Sequence, residues 1–172
     1  MHRLQEQVRA LAAGEVTFSG VRTSLDPQLR AGLYRLADVL AALGHDVISA
    51  DPRYGRAIFG RVDVVLAPTT ARPPLRIGAT DGLSGWQTDK VIVGACPYAW
   101  PWNVLGWPAV NVPAGFTSEG LPFGAQLLGP ANSEALLISL AAQLEAHERW
   151  YEHVPPGIAA EHPSRPGAAS PR

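Results

Sequence analysis

The chain has 172 residues, with 14 lysines and arginines against 15 aspartates and glutamates, a formal net charge of -1, 47% apolar residues and 17% charged ones. Those values fit one ordinary globular domain large enough to bury a core. It lacks the roughly 18-residue apolar run a membrane span needs, an apolar leader in MHRLQEQVRA and a clustered basic stripe, so the expectation is a soluble, cytoplasmic protein with no membrane or nucleic-acid partner.

Met1 to Ala13 places Leu4, Val8 and Leu11 at helical spacing before Gly14 and predicts a short amphipathic helix. Gly14 to Leu25 has no period and reads as a loop. The strongest local signal follows: Asp26 as N-cap, Pro27 at the first helical position, Leu29, Leu33, Leu36, Leu40 and Leu43 on one face, and Gly44 as the stop. Asp46 to Ala50 predicts a short strand, and DVVLAP (Asp63 to Pro68) a strand covered on both faces, because an unbroken β-branched and leucine run leaves no polar side for water. Pro73 and Pro74 then forbid regular structure.

Trp86 to Val93 predicts a helix. Val110 and Val112 carry a strand that Pro113 confines to an edge, and Pro122 to Gly129 pairs with it through a turn at Ser118, Glu119 and Gly120. In that second strand Phe123, Ala125 and Leu127 alternate with Gly124, Gln126 and Leu128. Asn132 caps a last helix with Leu136, Leu137, Leu140 and Leu144 inward. The tail from Val154 to Arg172 holds five prolines and almost no large apolar residue, which predicts disorder. The expected domains are a poorly defined 1–25, a folded 26–153 and a Pro-rich tail 154–172. The fold class is α/β, a mixed sheet flanked by helices.

The search for chemistry yields few candidates. No G-x-S-x-G elbow occurs; Ser84 in DGLSGW approximates one loosely and reads as a turn residue. Cys96 with His45 or His147 could pair a thiol with a base, but an isolated cysteine reads first as a small apolar core residue. As the one cysteine, it also excludes an intrachain disulfide or a thiolate-rich metal site. The histidines form no metal-binding pair, so no metal and no cofactor is implied. Lys90 is the one lysine, hence the one residue able to serve as a neutral lysine base. Tyr98, Trp100, Trp102 and Trp107 crowd the proline-broken CPYAWPWNVLGWPAV. They read either as a wall for an apolar substrate or, more simply, as rings of an irregular loop packed on the sheet.

Asp63 to Trp150 resembles the C-terminal part of amidase signature enzymes. DVVLAPTT (Asp63 to Thr70), PWNVLGWPAVNVPAG (Pro101 to Gly115), GLPFGAQLLGP (Gly120 to Pro130) and ALLISLAAQLE (Ala135 to Glu145) carry the resemblance in order and spacing. The helix and strand of Pro27 to Ala50 are similar to a less specific preceding element. The resemblance implies the C-terminal part of that fold and a hydrolase of carboxylic amides, releasing acid plus ammonia or an amine. It also implies a lysine and two serines, one held by a cis peptide, in a Gly/Ser-rich segment further N-terminal. This chain contains no Ser-Ser dipeptide, and Lys90 in QTDKV does not match the family's lysine, so no catalytic residue is assigned.

Tyr98, Trp100, Trp102 and Asn103 are the candidate substrate-pocket wall. Only Pro52 to Val62 joins the strand ending near Asp51 to DVVLAPTT, where family members have a long helical stretch. The expectation is therefore a fragment inactive alone, with a small amide as substrate if a catalytic half completes it. The alternative is a noncatalytic module that docks to such a half or self-associates through a sheet edge.

Overall fold

The structure is a computed structural model that describes residues 7–11, 16–18, 21–50 and 56–154. Five strands, β1 (Gln7–Leu11), β4 (Asp46–Ala50), β5 (Val64–Pro68), β6 (Ala109–Phe116) and β7 (Pro122–Leu128), form one mixed sheet in the order β4-β1-β5-β7-β6. A separate antiparallel pair joins β2 (Val16–Phe18) and β3 (Val21–Thr23). β1 runs parallel to both β4 and β5, with Val8 in register with Val47 on one side and Val64 on the other. β7 then runs antiparallel to β5 and to β6.

Two expectations for the first 25 residues are corrected. Residues 7–11 form a strand instead of a helix, and the predicted loop contains β2 and β3. A short run such as Val8 and Leu11 fits either period, and pairing on both sides decides for the strand.

α1 (Pro27–Ala42) is capped by Asp26, whose Oδ1 accepts from the Gln28 amide at 2.8 Å, and Gly44 closes it at φ 96°. Leu29, Leu33, Leu36 and Leu40 are buried, each contributing on the order of 2 kcal/mol. With α4 (Glu134–Glu148), whose Leu137, Leu140 and Leu144 point inward, α1 covers one sheet face through Val64, Leu66, Val112, Ala125 and Leu127. The other face carries Val65, Ala67 and Leu128. Ile58 of a 3-10 helix (Arg56–Gly60) and Trp102 of α3 (Trp100–Leu105) cover it. β5 is thus buried throughout, as its apolar run requires.

The stretch predicted to be irregular contains α3, which begins at Trp100 with Pro101 in its first turn and which Gly106 ends at φ 66°. A six-residue helix is too short to leave a periodic pattern in sequence. The final helix is flanked by Ser133 rather than Asn132: Asn132 takes a left-handed φ of 65°, and the Ser133 hydroxyl donates to the Pro130 carbonyl at 2.6 Å. β6 is an edge strand, and its register shifts between Pro113 and Gly115, where proline removes a ladder donor. Of the tail expected to be disordered, residues 155–172 lie outside those described.

α1 approaches the β6–β7 hairpin closely because Gly32 has no side chain. A Cβ there would stand 2.4 Å from the Phe123 ring and 2.7 Å from the Ala114 carbonyl oxygen. Gly32→Ala should therefore cost about 1–3 kcal/mol in urea unfolding, as overpacking does. Gly85→Ala, with nothing within 4 Å, should leave the midpoint unchanged or raise it.

Candidate functional site

At the C-terminal end of β5 the chain turns from apolar to polar with Pro68, Thr69 and Thr70, in line with two polar residues on neighbouring strands. The register sets Ala67 beside Gln126, and Gln126 beside Asn111, so Asn111 and Gln126 share one sheet face. Gln126 is only 6% exposed, and its Nε2 donates to the Pro68 carbonyl at 2.9 Å. The Thr69 hydroxyl donates to Asn111 Oδ1, and the Thr69 amide to the Gly124 carbonyl at 3.4 Å. Gly124 makes room for this contact, since a Cβ there would lie 2.7 Å from Asn111 Oδ1 and 2.8 Å from Nδ2.

The result is an uncharged set, one hydroxyl and two carboxamides, of which Asn111 faces solvent. Such groups orient a polar neutral ligand; none is a base at neutral pH. The set adjoins the aromatic cluster, because Ala67 packs with Trp102. There Phe59, Trp102 and Trp107 meet with ring centroids 5.2 to 5.9 Å apart, so these rings do pack on the sheet.

The four candidate wall residues are dispersed. Trp102 is buried on this second face, while Tyr98 is buried in the core beneath α1 and α4. Trp100, 52% exposed, and Asn103 lie on the surface of α3. A cavity of about 630 Å³ lies elsewhere, between α1, β6 and the end of α4, and none of the four lines it.

Ser84 caps α2 (Gly85–Ala95) in a reciprocal arrangement: its hydroxyl accepts from the Gln87 amide at 3.4 Å, and its own amide donates to Gln87 Oε1 at 2.9 Å. Cys96 ends the same helix, its amide donating to the Ile92 carbonyl. The histidines weighed as its base are engaged at α4, His45 with Gln143 at 3.1 Å and His147 with Glu148 at 3.3 Å. Lys90 is exposed, its ammonium 5.0 Å from the centroid of the Trp86 ring. Among the described residues no group of three or more His, Cys, Asp or Glu side chains could hold a metal ion.

Sequence reasoning missed Thr69, Asn111 and Gln126 as a set. The available signal was Gln126, a polar residue in the otherwise apolar alternation of β7, which implies a buried partner.

Comparisons with known proteins bear on the family and the fold. The family model described as Amidase matches residues 53–138, half of the chain. A protein named as an amidase, AmiA2 of Mycobacterium tuberculosis, is 39% identical over 194 residues, taking in 77% of this chain and 40% of its own length. Since 77% of 172 residues is fewer than 194, the relative carries residues within the matched region that this chain lacks. Among solved structures, a bacterial aryl acylamidase of the amidase signature family superimposes with TM-score 0.68 at 19% identity, covering 87% of this chain and 45% of that one. A 6-aminohexanoate cyclic dimer hydrolase gives 0.64 at 21%, covering 91% and 48%. At those identities the two structures establish the fold alone. The chain spans 40% of the curated relative and under half of each neighbour.

The roles of the two carboxamides separate by substitution. Gln126→Ala should cost about 1–3 kcal/mol in urea unfolding by leaving the buried Pro68 carbonyl without its donor, whereas exposed Asn111→Ala should cost under about 1 kcal/mol.

Proposed function

Because the chain belongs to the amidase family, we propose that it supplies the sheet and substrate-facing wall of an enzyme that hydrolyses carboxylic amides to acid plus ammonia or an amine. The observation that carries this is the Thr69, Asn111 and Gln126 set at the end of β5, inside the matched region 53–138. Uncharged donors and acceptors suit a neutral amide, which offers one carbonyl and one N–H. In this reading Asn111 with Trp100 and Asn103 meets the substrate. Trp102 supports them from below and Tyr98 from the core. The nucleophile and base come from residues outside the matched portion, so the 172-residue chain is inactive alone. Its one lysine supports this, since Lys90 stands over Trp86 on the exposed side of α2 and no two serines are adjacent in the sequence. A cytoplasmic location belongs to the same proposal.

A second reading, a noncatalytic docking module, is favoured by a specific observation. Exposed apolar side chains concentrate in residues 75–105, with Ile77 fully exposed, Val104 71% and Trp86 66% exposed. Patches of this kind mark interaction surfaces. The partner in that reading is the catalytic half of an amidase fold. Self-association through a sheet edge is the rival outcome.

Ammonia release from a panel of small aliphatic and aryl amides should not exceed that of a Lys90→Ala control. Turnover abolished by Lys90→Ala would mean that the chain holds a lysine-dependent site of its own. For the docking reading, co-expression with the N-terminal part of the AmiA2 relative should give one complex on size exclusion. Trp86→Ser with Ile92→Ser, both on exposed positions of α2, should abolish it. A mass that grows with concentration in the chain alone would favour self-association instead.

A further inference from the structure

The cavity of about 630 Å³ between α1, β6 and the end of α4 is in the size range of small-molecule sites. Its flat apolar surfaces are Phe116, Trp150, Pro113 and Pro122. Gly115 and Gly120, at φ 138° and 78°, line it with backbone; a Cβ at Gly115 would meet the Phe123 ring at 3.2 Å, whereas one at Gly120 would meet nothing within 4 Å. The Phe116 ring is steadied by His153, with centroids 5.5 Å apart and planes 32° from parallel.

Its charge is internally balanced. Arg35 Nη1 of α1 meets Glu148 Oε2 of α4 at 2.6 Å, and Arg35 Nη2 donates to the Ala114 carbonyl at 3.3 Å. Glu148 Oε1 faces His147 Nδ1 at 3.3 Å, and its side chain is only 12% exposed. An ion pair of this kind sets an N–H donor beside a carboxylate acceptor with no net charge. A charged ligand would have to compete for one member and leave the other without its counter-ion in a half-buried place, which is costly. A neutral ligand need only add hydrogen bonds to the pair while its ring fills the apolar part.

We infer that this cavity binds an uncharged, planar aromatic molecule carrying a hydrogen-bond acceptor beside a donor. The ring of such a molecule packs on the apolar lining of Phe116, Trp150, Pro113 and Pro122. The neighbouring acceptor and donor match Arg35 and Glu148. The inference rests on the cavity alone and is independent of whether the chain turns over amides.

The test is a ¹H–¹⁵N NMR titration of the full chain with benzamide, benzoate and benzylammonium. The backbone amides of Gly115 and Gly120 and the Trp150 indole report from inside the cavity without any substitution. Benzamide should shift all three saturably, with half-saturation at about 10 mM or below. The two charged probes should bind at least about fivefold more weakly. Arg35→Met removes the cation and leaves Glu148, so benzylammonium should then overtake benzamide. If that variant does not fold, Phe116→Ala, on a side chain already 52% exposed, should weaken benzamide at least about threefold by removing one wall. The inference is overturned if none of the three signals moves, or if either charged probe binds as well as benzamide. It is also overturned if binding appears only after deletion of residues 155–172, which would make the cavity the seat of the chain's own tail.

Discussion

β5 is the strand on which the molecule is arranged, because water reaches neither of its faces and both of its edges are paired. Val64 and Leu66 feed the core beneath α1 and α4, while Val65 and Ala67 feed the aromatic layer of Phe59, Trp102 and Trp107. A strand with no polar side must satisfy its backbone through neighbours, and here it does so in two senses, parallel to β1 and antiparallel to β7. Its C-terminal exit is then the place where polar side chains first become tolerable. Thr69 and Thr70 appear there, with Gln126 holding the last carbonyl of the strand in place.

That exit also explains why the polar set sits where it does. The pleat puts Asn111 and Gln126 on one face, and Gly124 leaves the space into which the Asn111 amide leans. On the opposite face, Gly32 lets α1 come down onto the hairpin, and Arg35, one turn further along, reaches Glu148 and the Ala114 carbonyl. Missing side chains at Gly32 and Gly124 thus position one helix and one amide. The first contact fixes the wall of the cavity, the second the end of the sheet.

Much of this was legible in sequence. Asp26, Pro27 and the leucine stripe specify α1 through local chemistry alone; DVVLAP and the alternation of Pro122 to Gly129 specify strands by burial pattern. The illegible parts are those decided by distant partners. Residues 7–11 carry a pattern that suits two periods, and the pairing of Val8 with Val47 and Val64 decides between them. The Thr69–Asn111 contact joins residues far apart in sequence, and no spacing rule connects them. The aromatic stretch was visible as a cluster, but its split between two faces depends on α3, whose single turn of pattern is too short to read.

The mixed pairing of β5 has a consequence in time. β6 and β7 are joined by one tight turn, so their pairing closes a short loop and forms as soon as both are available. β1 precedes both of its partners in the chain, and Val8 waits for Val47 and then for Val64 before its backbone is satisfied on either side. Parallel, non-local contacts of that kind are slow steps in assembly. β5 in turn waits for β7, further along the chain than either partner of β1, so one of its edges stays open until the hairpin is made and until then depends on whatever shields a nascent chain.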